Sequence, residues 1–576
     1  MALLCSSAAA VWRFGCFELD QETAELRKSG TEVRLPLQPA RVLGLLVANA
    51  GKLVTREEIR REVWGEAAVD FDAGLNFCLN RIRAVLEDDA RSPSYIETLS
   101  RRGYRFIAPV EALPKAPPTL AVLPFENLNH DPEPDFFADG VVDALISELG
   151  SLKTLRVISR QTVLHLKGTQ RTIPEIGREL RADAVIEGSV FRAGNRIRIT
   201  AQLIQVAPEQ HLWAKTYEGD LVDILTLQGQ IAQAIAGAVQ SAVSPSDLAR
   251  LGRPRPVDPE AHLAYLRGRH HMSRWSRVSM EKALEYFHIA LEKDPGHALS
   301  YAHLADCYGH LGFWGHCSFP DAFTKAKEAA LKALALDDAL GTAHWAFAWA
   351  TWLNDWDLDA CEAEMLRALE LNASDEHAHV AFSIFLMATS GDQARAVSEM
   401  DLALRVAPLS EYVNACLAWI YLFADDYEKA VEQARRTLEL FPGSPLAYAG
   451  LGLAELCRSR FAPAIEIFEK AAAVAQDALS MAYLAAAHAR AGNLDVATSL
   501  LENLQSRSER ETVTPRCFVI VYAAIGERGR AFNWLDRAYD AHDPSLFFLR
   551  VMPLYDSLRS DPRFDQMLRR LGIPRS

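Results

Sequence analysis

A regular spacing of small residues constrains the stretch 259–573 more than any other feature of the chain. In most cases a small residue is followed seven positions later by another, and the first member recurs after 43, 35, 35, 34, 34, 33 and 34 residues. The pairs are Ala283 and Ala290, Ala326 and Ala333, Cys361 and Ala368, Ala396 and Ala403, Ala430 and Thr437, Ala464 and Ala471, Ala497 and Leu504, and Ala531 and Ala538. Small residues are needed where paired helices approach closely. The pattern therefore predicts about eight helix pairs that stack into a solenoid.

The period of 34 residues resembles that of the tetratricopeptide family. The segment 427–445, YEKAVEQARRTLELFPGSP, is similar to the second helix and exit turn of such a repeat, and the segment 551–572 resembles a terminal cap. The interval of 43 places an insertion near Gly312–Pro320. The resemblance implies an all-α array whose extended concave face takes a protein or peptide partner and holds no deep small-molecule cavity.

Four tryptophans, Trp345, Trp349, Trp352 and Trp356, follow helical spacing in the third repeat. Packing in the core is the default interpretation of such large side chains. The open alternative is that a minority of them line a ligand groove.

Residues 12–109 have a different pattern, in which short strands precede three helices and a basic hairpin. The predicted strands are Val11–Leu19, Ala24–Lys28 and Val33–Pro36, followed after the helices by Tyr95–Leu99 and Tyr104–Ala108. The predicted helices are Pro39–Asn49, a second that starts at the capping box Thr55-Arg-Glu-Glu58 and ends near Trp64-Gly65, and a third from about Phe71 to Leu86.

The third helix has one apolar side and one polar side. Leu75, Leu79, Ile82 and Leu86 fall on a single stripe that should face the domain core. The other sides carry Asn76, Phe77, Asn80, Arg81 and Arg83. Asn and Arg make bidentate contacts to base edges, and an apolar ring can meet a thymine methyl. For an isolated helix a merely solvated face is the simpler interpretation, but a helix, a turn, a polar helix and a basic hairpin form the order of a DNA-binding winged helix.

The segments TREEIRREVWG, LNFCLNRIRAVLEDD and YIETLSRRGYRFIAPV resemble the OmpR/PhoB-type winged-helix family. The resemblance covers essentially all of residues 12–109. It implies that Asn76–Arg83 belong to the recognition helix and that the hairpin tip, with Arg101 and Arg102, enters the neighbouring minor groove. Only about eleven residues precede the first strand, so we expect no phosphoacceptor receiver domain before it.

The middle block, 119–241, is predicted to be α/β with a mixed sheet. Its segments LAVLPFENL, FFADGVVDALISEL and ADAVIEGSVFRAGNRIRITAQLIQ resemble the TolB N-terminal-like domain, which specifies a fold and no single function. Asp135, Asp139 and Asp143 recur at four-residue intervals. A solvated helix face is the favoured interpretation of these carboxylates, and a metal-binding strip is the alternative.

Charge and cysteine content limit the remaining possibilities. The net charge is −14, and residues 12–110 are neutral because Lys plus Arg and Asp plus Glu each number 15 there. Any DNA-binding surface must therefore be local. The nine cysteines form no CxxC pair, which predicts buried free thiols rather than a zinc ribbon or a disulfide framework. No apolar run approaches the length of a membrane span, so no membrane partner is expected.

Together these patterns predict a multidomain chain. It has a winged helix-turn-helix domain of the α+β class (12–109), a linker (110–118), a mixed-sheet α/β domain (119–241), a second linker (242–258) and an all-α tetratricopeptide-like array (259–573). The leading hypothesis is a one-component, cytoplasmic transcriptional regulator that binds double-stranded DNA and RNA polymerase and receives a protein partner or signal. We expect no catalysis, metal or cofactor. The alternative is a protein-interaction scaffold without sequence-specific DNA binding.

Overall fold

The structure is a computed structural model. It describes residues 11–20, 24–28, 31–65, 71–100, 102–113, 117–129, 136–239, 243–244, 248–249, 251, 257–272 and 277–573. The predictions for Arg101 and Asp135 lie outside these residues. The chain divides into two compact units, Met1–Pro117 and Pro118–Ser576, each with its own hydrophobic core.

In its described part, the first unit consists of two small antiparallel sheets around three helices. The strands are β1 Val11–Phe14, β2 Phe17–Asp20, β3 Leu26–Lys28, β4 Thr31–Val33, β5 Leu53–Thr55, β6 Ile96–Leu99, β7 Gly103–Phe106 and β8 Glu111–Leu113. The helices are α1 Leu37–Ala48, α2 Arg56–Ile59 with a π-helical turn at Arg60–Trp64, and α3 Phe71–Leu86. The strand orders are β4-β3-β2-β1-β8 and β5-β7-β6. This is the predicted winged helix.

Two strand predictions in this unit were wrong in detail, and the predicted strand Val33–Pro36 overlaps β4, Thr31–Val33, only at Val33. The segment Val11–Leu19 forms a hairpin of β1 and β2 rather than one strand. Gly15 adopts a φ of +57°, a left-handed conformation that suits glycine and reverses the chain there.

The second unit begins with a mixed α/β domain, as predicted. Its strands are β9 Thr119–Val122, β10 Glu126–Asn127, β11 Arg156–Val157, β12 Ala184–Ala193, β13 Arg196–Gln205 and β14 Gln210–Asp220. Its helices are α4 Phe136–Gly150, α5 Arg160–Leu164, α6 Ile173–Leu180 and α7 Ile224–Val239. The strand order is β11-β9-β12-β13-β14, in which β11, β9 and β12 are parallel and β12, β13 and β14 are antiparallel.

Eight helix pairs follow within residues 257–272 and 277–573. The first four are α8 Pro259–Met272 with α9 Arg277–Lys293, α10 Ala298–Phe313 with α11 Phe319–Leu336, α12 Gly341–Asp355 with α13 Leu358–Leu371, and α14 Glu376–Thr389 with α15 Gln393–Val406. The others are α16 Glu411–Phe423 with α17 Tyr427–Leu440, α18 Pro445–Cys457 with α19 Phe461–Ala475, α20 Ala478–Arg490 with α21 Leu494–Ser508, and α22 Pro515–Ala524 with α23 Arg528–Asp540. Helix α24, Pro562–Arg570, is the last helix among the described residues.

The small-residue series lies on the second helix of every pair, and each of its sixteen members is buried. The repeat prediction is therefore confirmed at the level of side-chain packing. The predicted insertion between the first two pairs of the series is also confirmed, because the long helices α10 and α11 are joined by a turn at residues 314–318.

The concave face of the array is partly filled, which corrects the expectation of a fully open wall. A 3₁₀ turn near the C-terminus, Pro544–Phe548, packs its Phe547 ring 5.1 Å from Trp352 and its Phe548 ring 5.5 Å from Phe423, measured between centroids. Arg516 in the eighth pair donates a hydrogen bond of 3.0 Å to the Phe313 carbonyl in the second. The inner surface is thus partly filled by the chain's own C-terminal residues.

The α/β domain packs directly on the array. The backbone N–H of Ser159 donates to the Val406 carbonyl at 2.7 Å, and the N–H of Val157 donates to the Ser374 hydroxyl at 3.1 Å. Of the predicted linker 242–258, Leu251 and Val257 are described and buried, and the N–H of Val257 donates to the Val222 carbonyl. These two residues are part of the packed unit rather than of a solvated spacer.

The surroundings of the α4 aspartates differ from the solvated face that the sequence analysis favoured. Asp139 is buried and the Asp143 side chain is 13% exposed, so the two do not form a solvated face. Asp143 accepts two hydrogen bonds from the Arg269 guanidinium on α8, at 2.9 and 3.0 Å, and lies 3.8 Å from Arg160. Burial alone would raise the pKa of Asp143, but the two guanidinium groups outweigh burial and hold the pKa below its ordinary value. Asp139 pairs with Lys167 at 2.8 Å.

No helix among the described residues is both long enough and apolar enough to cross a membrane.

Breaking the pair between Asp143 and Arg269 should destabilise the second unit. Asp143→Ala leaves two buried guanidinium groups without their carboxylate, which should cost about 3–5 kcal/mol of unfolding free energy in denaturant titrations of the full chain. The matched control is Arg196→Ala, since Arg196 and Asp220 form an exposed pair of 3.6 Å whose loss should cost at most ~0.5 kcal/mol. Equal losses in the two variants would contradict a buried, structure-holding pair.

Candidate nucleic-acid interface

Helix α3 exposes one side and buries the other. Leu75, Leu79, Ile82 and Leu86 are buried in the core of the first unit. Asn76, Phe77, Asn80 and Arg81 are exposed, and 58% of Phe77 is accessible to solvent. A large apolar ring exposed to this extent has no packing role in the domain core. The four exposed side chains together form a surface of amide, guanidinium and aromatic groups on one helix.

The start of α3 is held by two contacts. The indole of Trp64 lies edge-on to the ring of Phe71, with centroids 5.2 Å apart. The Arg56 guanidinium donates to the Asp72 carboxylate at 2.6 Å and to the Tyr104 hydroxyl at 3.2 Å, which links α2, α3 and strand β7. The exposed side of α3 is therefore presented in a defined orientation within the unit.

The predicted capping box at α2 is confirmed. The Thr55 hydroxyl accepts a hydrogen bond from the Glu58 N–H, and the Glu58 carboxylate accepts one of 2.7 Å from the Thr55 N–H. The Thr55 backbone and hydroxyl donors lower the pKa of Glu58 from its ordinary value. The helix that precedes α3 therefore begins at a fixed residue.

The hairpin after α3 is built around one glycine. Strands β6 and β7 pair in register, with Leu99 opposite Gly103. Gly103 has a φ of +146°, and a Cβ there would lie 2.1 Å from the Val54 carbonyl oxygen, so a larger residue would displace β5. The tip leaves Arg102 exposed. Arg101, predicted to act with it, lies outside the described residues.

Arg83 differs from the other predicted site residues. Its guanidinium donates hydrogen bonds to the Ile96 carbonyl at 3.1 Å and to the Thr98 hydroxyl at 2.8 Å. Both acceptors belong to β6, so Arg83 ties the hairpin to α3 and is half-buried. These two hydrogen bonds support a positioning role for Arg83, and its predicted contact with DNA stays a prediction.

Sequence reasoning missed the residues that hold this surface in place. The Asp88 carboxylate, just after α3, accepts hydrogen bonds from the N–H groups of Ser94, Tyr95 and Ile96 at 2.6, 3.1 and 2.9 Å. Arg56 and Tyr104 were also missed. The Asp88 bonds reach six to eight residues along the chain, so no local turn pattern indicated them.

Two family descriptions match the chain. Residues 30–106 match "Transcriptional regulatory protein, C terminal". Residues 116–234 match "HilA/YgeH-like transcriptional regulator, second domain". The first match contains α3 and the hairpin, and the second covers nearly all of the mixed α/β domain.

Among similar proteins is a Rhizobium meliloti (strain 1021) protein provisionally named adenylate cyclase 3, 33% identical over 54% of this chain and 53% of that protein. Transcriptional regulator HilA of Salmonella typhi is 28% identical over 56% of this chain and 58% of its own length. The chain thus spans about half the length of these curated relatives. Among solved structures, the DNA-binding domain of E. coli CadC aligns with a TM-score of 0.17 and 21% identity, over 19% of this chain and 100% of that one.

The chain therefore has an OmpR/PhoB-type winged-helix domain, then a domain similar to the second domain of HilA/YgeH-like transcriptional regulators, and then a tetratricopeptide-like array.

Proposed function

We infer that the chain is a transcriptional regulator that binds double-stranded DNA through its winged helix, and that it is not an enzyme. The main evidence for DNA binding is the exposed side of α3. It presents Asn76, Phe77, Asn80 and Arg81, and the opposite side is a buried apolar stripe. Such a helix fits the major groove, where Asn and Arg read base edges and Phe77 meets a thymine methyl. Both family matches and the name of the HilA relatives support this reading.

The hairpin supplies the second contact in this proposal. Arg101 and Arg102 reach the minor groove or the phosphates beside the site read by α3. Because the unit is neutral overall, affinity rests on these few arginines and on Arg81. Binding by one copy is therefore modest and strongly salt-dependent.

In this proposal the second unit receives the signal. Its α/β domain and array form one packed body, which receives a cytoplasmic protein partner or signal and passes the response to RNA polymerase. All of the net charge of −14 lies outside residues 12–110, so the second unit is repelled by DNA and leaves the winged helix as the DNA-facing part.

Residues 1–117 alone should bind duplex DNA with an affinity that falls steeply as salt rises, because phosphate contacts release counterions. Arg102→Ala should weaken binding to all sequences alike and reduce the logarithmic salt slope by about 1. Fluorescence anisotropy at several salt concentrations measures both effects. A folded fragment without salt-sensitive binding would favour the scaffold alternative.

Arg81→Ala should change DNA affinity, whereas Arg83→Ala should change the stability of the first unit. Arg81→Ala should weaken binding to a selected cognate duplex by about 1–3 kcal/mol, with little change in melting temperature because the side chain is exposed. Arg83→Ala should lower the unfolding free energy by about 1–3 kcal/mol, because it removes the hydrogen bonds to Ile96 and Thr98. If Arg81→Ala weakens cognate and random DNA equally, Arg81 is only a phosphate contact.

Removing the second unit should separate DNA binding from regulation. Because the α/β domain packs on the array, both must be deleted together, by ending the chain after residue 117. The truncated protein should occupy its sites in cells but no longer change transcription in response to conditions. Reporter assays combined with genome-wide site mapping test this. Normal regulation by the truncated protein would refute an input role for the second unit.

A further inference from the structure

A cavity of about 450 Å³ lies within the second unit, between the α/β domain and the first four helix pairs of the array. Its lining comes from α4, α5 and α7 on one side and from the first helices of successive repeats on the other. This volume suits a small organic molecule. No deep small-molecule cavity was expected in the array, and the sequence did not indicate this one because the cavity exists only where the two domains meet.

Carboxyl groups dominate the charge of the lining. Among the described residues that line the cavity there are seven carboxyl side chains and two guanidinium groups. The carboxyl groups are those of Asp143, Glu148, Asp294, Asp306, Asp337, Asp375 and Glu376. One guanidinium, that of Arg269, is already bound to Asp143. The lining therefore disfavours an anion and favours a cation.

Asp306 and Glu376 are the carboxyl groups best placed to receive that cation. Both are buried, and burial raises the pKa of each to about 7. Asp306 faces Arg269 and Asp375, while Glu376 faces Arg269, Asp143 and Ser159. Asp375, by contrast, already accepts hydrogen bonds from the backbone N–H groups of His377 and Ala378 as the N-cap of α14.

Buried polar groups without partners give an independent indication of a ligand. His262 and Gln228 line the cavity, and each is 1% exposed. Among the described residues, neither ring nitrogen of His262 and neither amide atom of Gln228 has a hydrogen-bond partner. Native proteins satisfy nearly all such groups, so two together call for an explanation.

His297 adds a directed donor at the same end of the cavity. Its Nδ1 accepts from the Ser300 N–H at 3.2 Å, so the proton sits on Nε2, which has no partner in the described part of the chain. Burial lowers the pKa of His262 to about 3 and that of His297 to about 4, so both rings are neutral. This end offers uncharged donors and acceptors, which suit hydroxyl groups.

We propose that the cavity binds a small hydroxylated primary amine, such as an amino sugar or amino polyol. Its ammonium group lies against Asp306 and Glu376, and its hydroxyl groups bond with His262, His297 and Gln228. The rings of Tyr265 and Trp345, which also line the cavity, pack against the carbon skeleton. Bound there, the ligand touches both the α/β domain and the array. The site does not depend on DNA binding by the first unit.

The test uses six-carbon molecules that distinguish the contribution of the amine from that of the hydroxyl groups. Glucosamine and glucamine (1-amino-1-deoxysorbitol) carry both an amine and hydroxyl groups, glucose and sorbitol lack the amine, and hexylamine lacks the hydroxyl groups. Calorimetric titrations of the full chain are run in phosphate buffer, since Tris is itself a hydroxylated amine. We expect glucosamine or glucamine to bind at least ten-fold more tightly than its matched controls.

Two variants assign the contacts. Asp306→Asn should weaken binding of the amino compound at least ten-fold, and Gln228→Leu should weaken it while leaving hexylamine binding unchanged. Asp401→Asn, on the exposed side of α15, is the matched control and should have no effect. Circular dichroism and thermal melts confirm that each variant is folded.

The proposal also fixes the direction of a pH effect. Between pH 6 and 8 Asp306 and Glu376 lose their protons, so affinity for glucamine, whose amine stays charged, should rise with pH in the wild type and less in Asp306→Asn. Hexylamine or sorbitol binding as tightly as glucamine would overturn the proposal. So would absence of binding by both amino compounds at roughly 10 mM.

Discussion

The buried pair between Asp143 and Arg269 is the contact on which the second unit depends. Moving two charges out of water is costly, and the cost is offset only when the geometry provides direct hydrogen bonds. Asp143 lies on α4 of the α/β domain and Arg269 on the first helix of the array, so the compensation exists only when the two domains are docked. The pair therefore disfavours any arrangement of these domains that buries one of the two charges without the other.

The same pair shows a limit of prediction from the sequence. The small-residue series placed all eight helix pairs, because a close helix–helix approach is a local requirement repeated every 34 residues or so. The aspartates of α4 have the same four-residue spacing whether they face water or a partner. What decides between the two is Arg269, 126 residues away along the chain. No local pattern contains that distance, and the solvated-face interpretation failed for Asp143 for this reason, while Asp139 is paired with Lys167.

In the first unit the buried stripe of α3 was predictable, and with it the set of residues on the other side. The stripe does not show which of those residues are free to contact DNA and which bond to the rest of the domain. Arg81 and Arg83 are two positions apart and both polar, yet Arg81 is exposed while Arg83 is bonded to β6. Only the position of the hairpin separates the two arginines, and that position is set by Asp88 and Gly103, whose roles depend on backbone geometry.

The filled inner surface of the array changes where recognition can occur. An open tetratricopeptide-like groove would offer an extended wall for a peptide, but here Phe547 and Phe548 occupy part of that wall. The polar inner surface of the first four repeats instead faces the α/β domain across a cavity, and some buried polar groups that line it have no hydrogen-bond partner among the described residues. A ligand in that space would satisfy groups from both domains at once and would therefore stabilise their docking. The α/β domain, for which the sequence indicated a fold but no role, thus becomes one wall of a binding site whose other wall is the array.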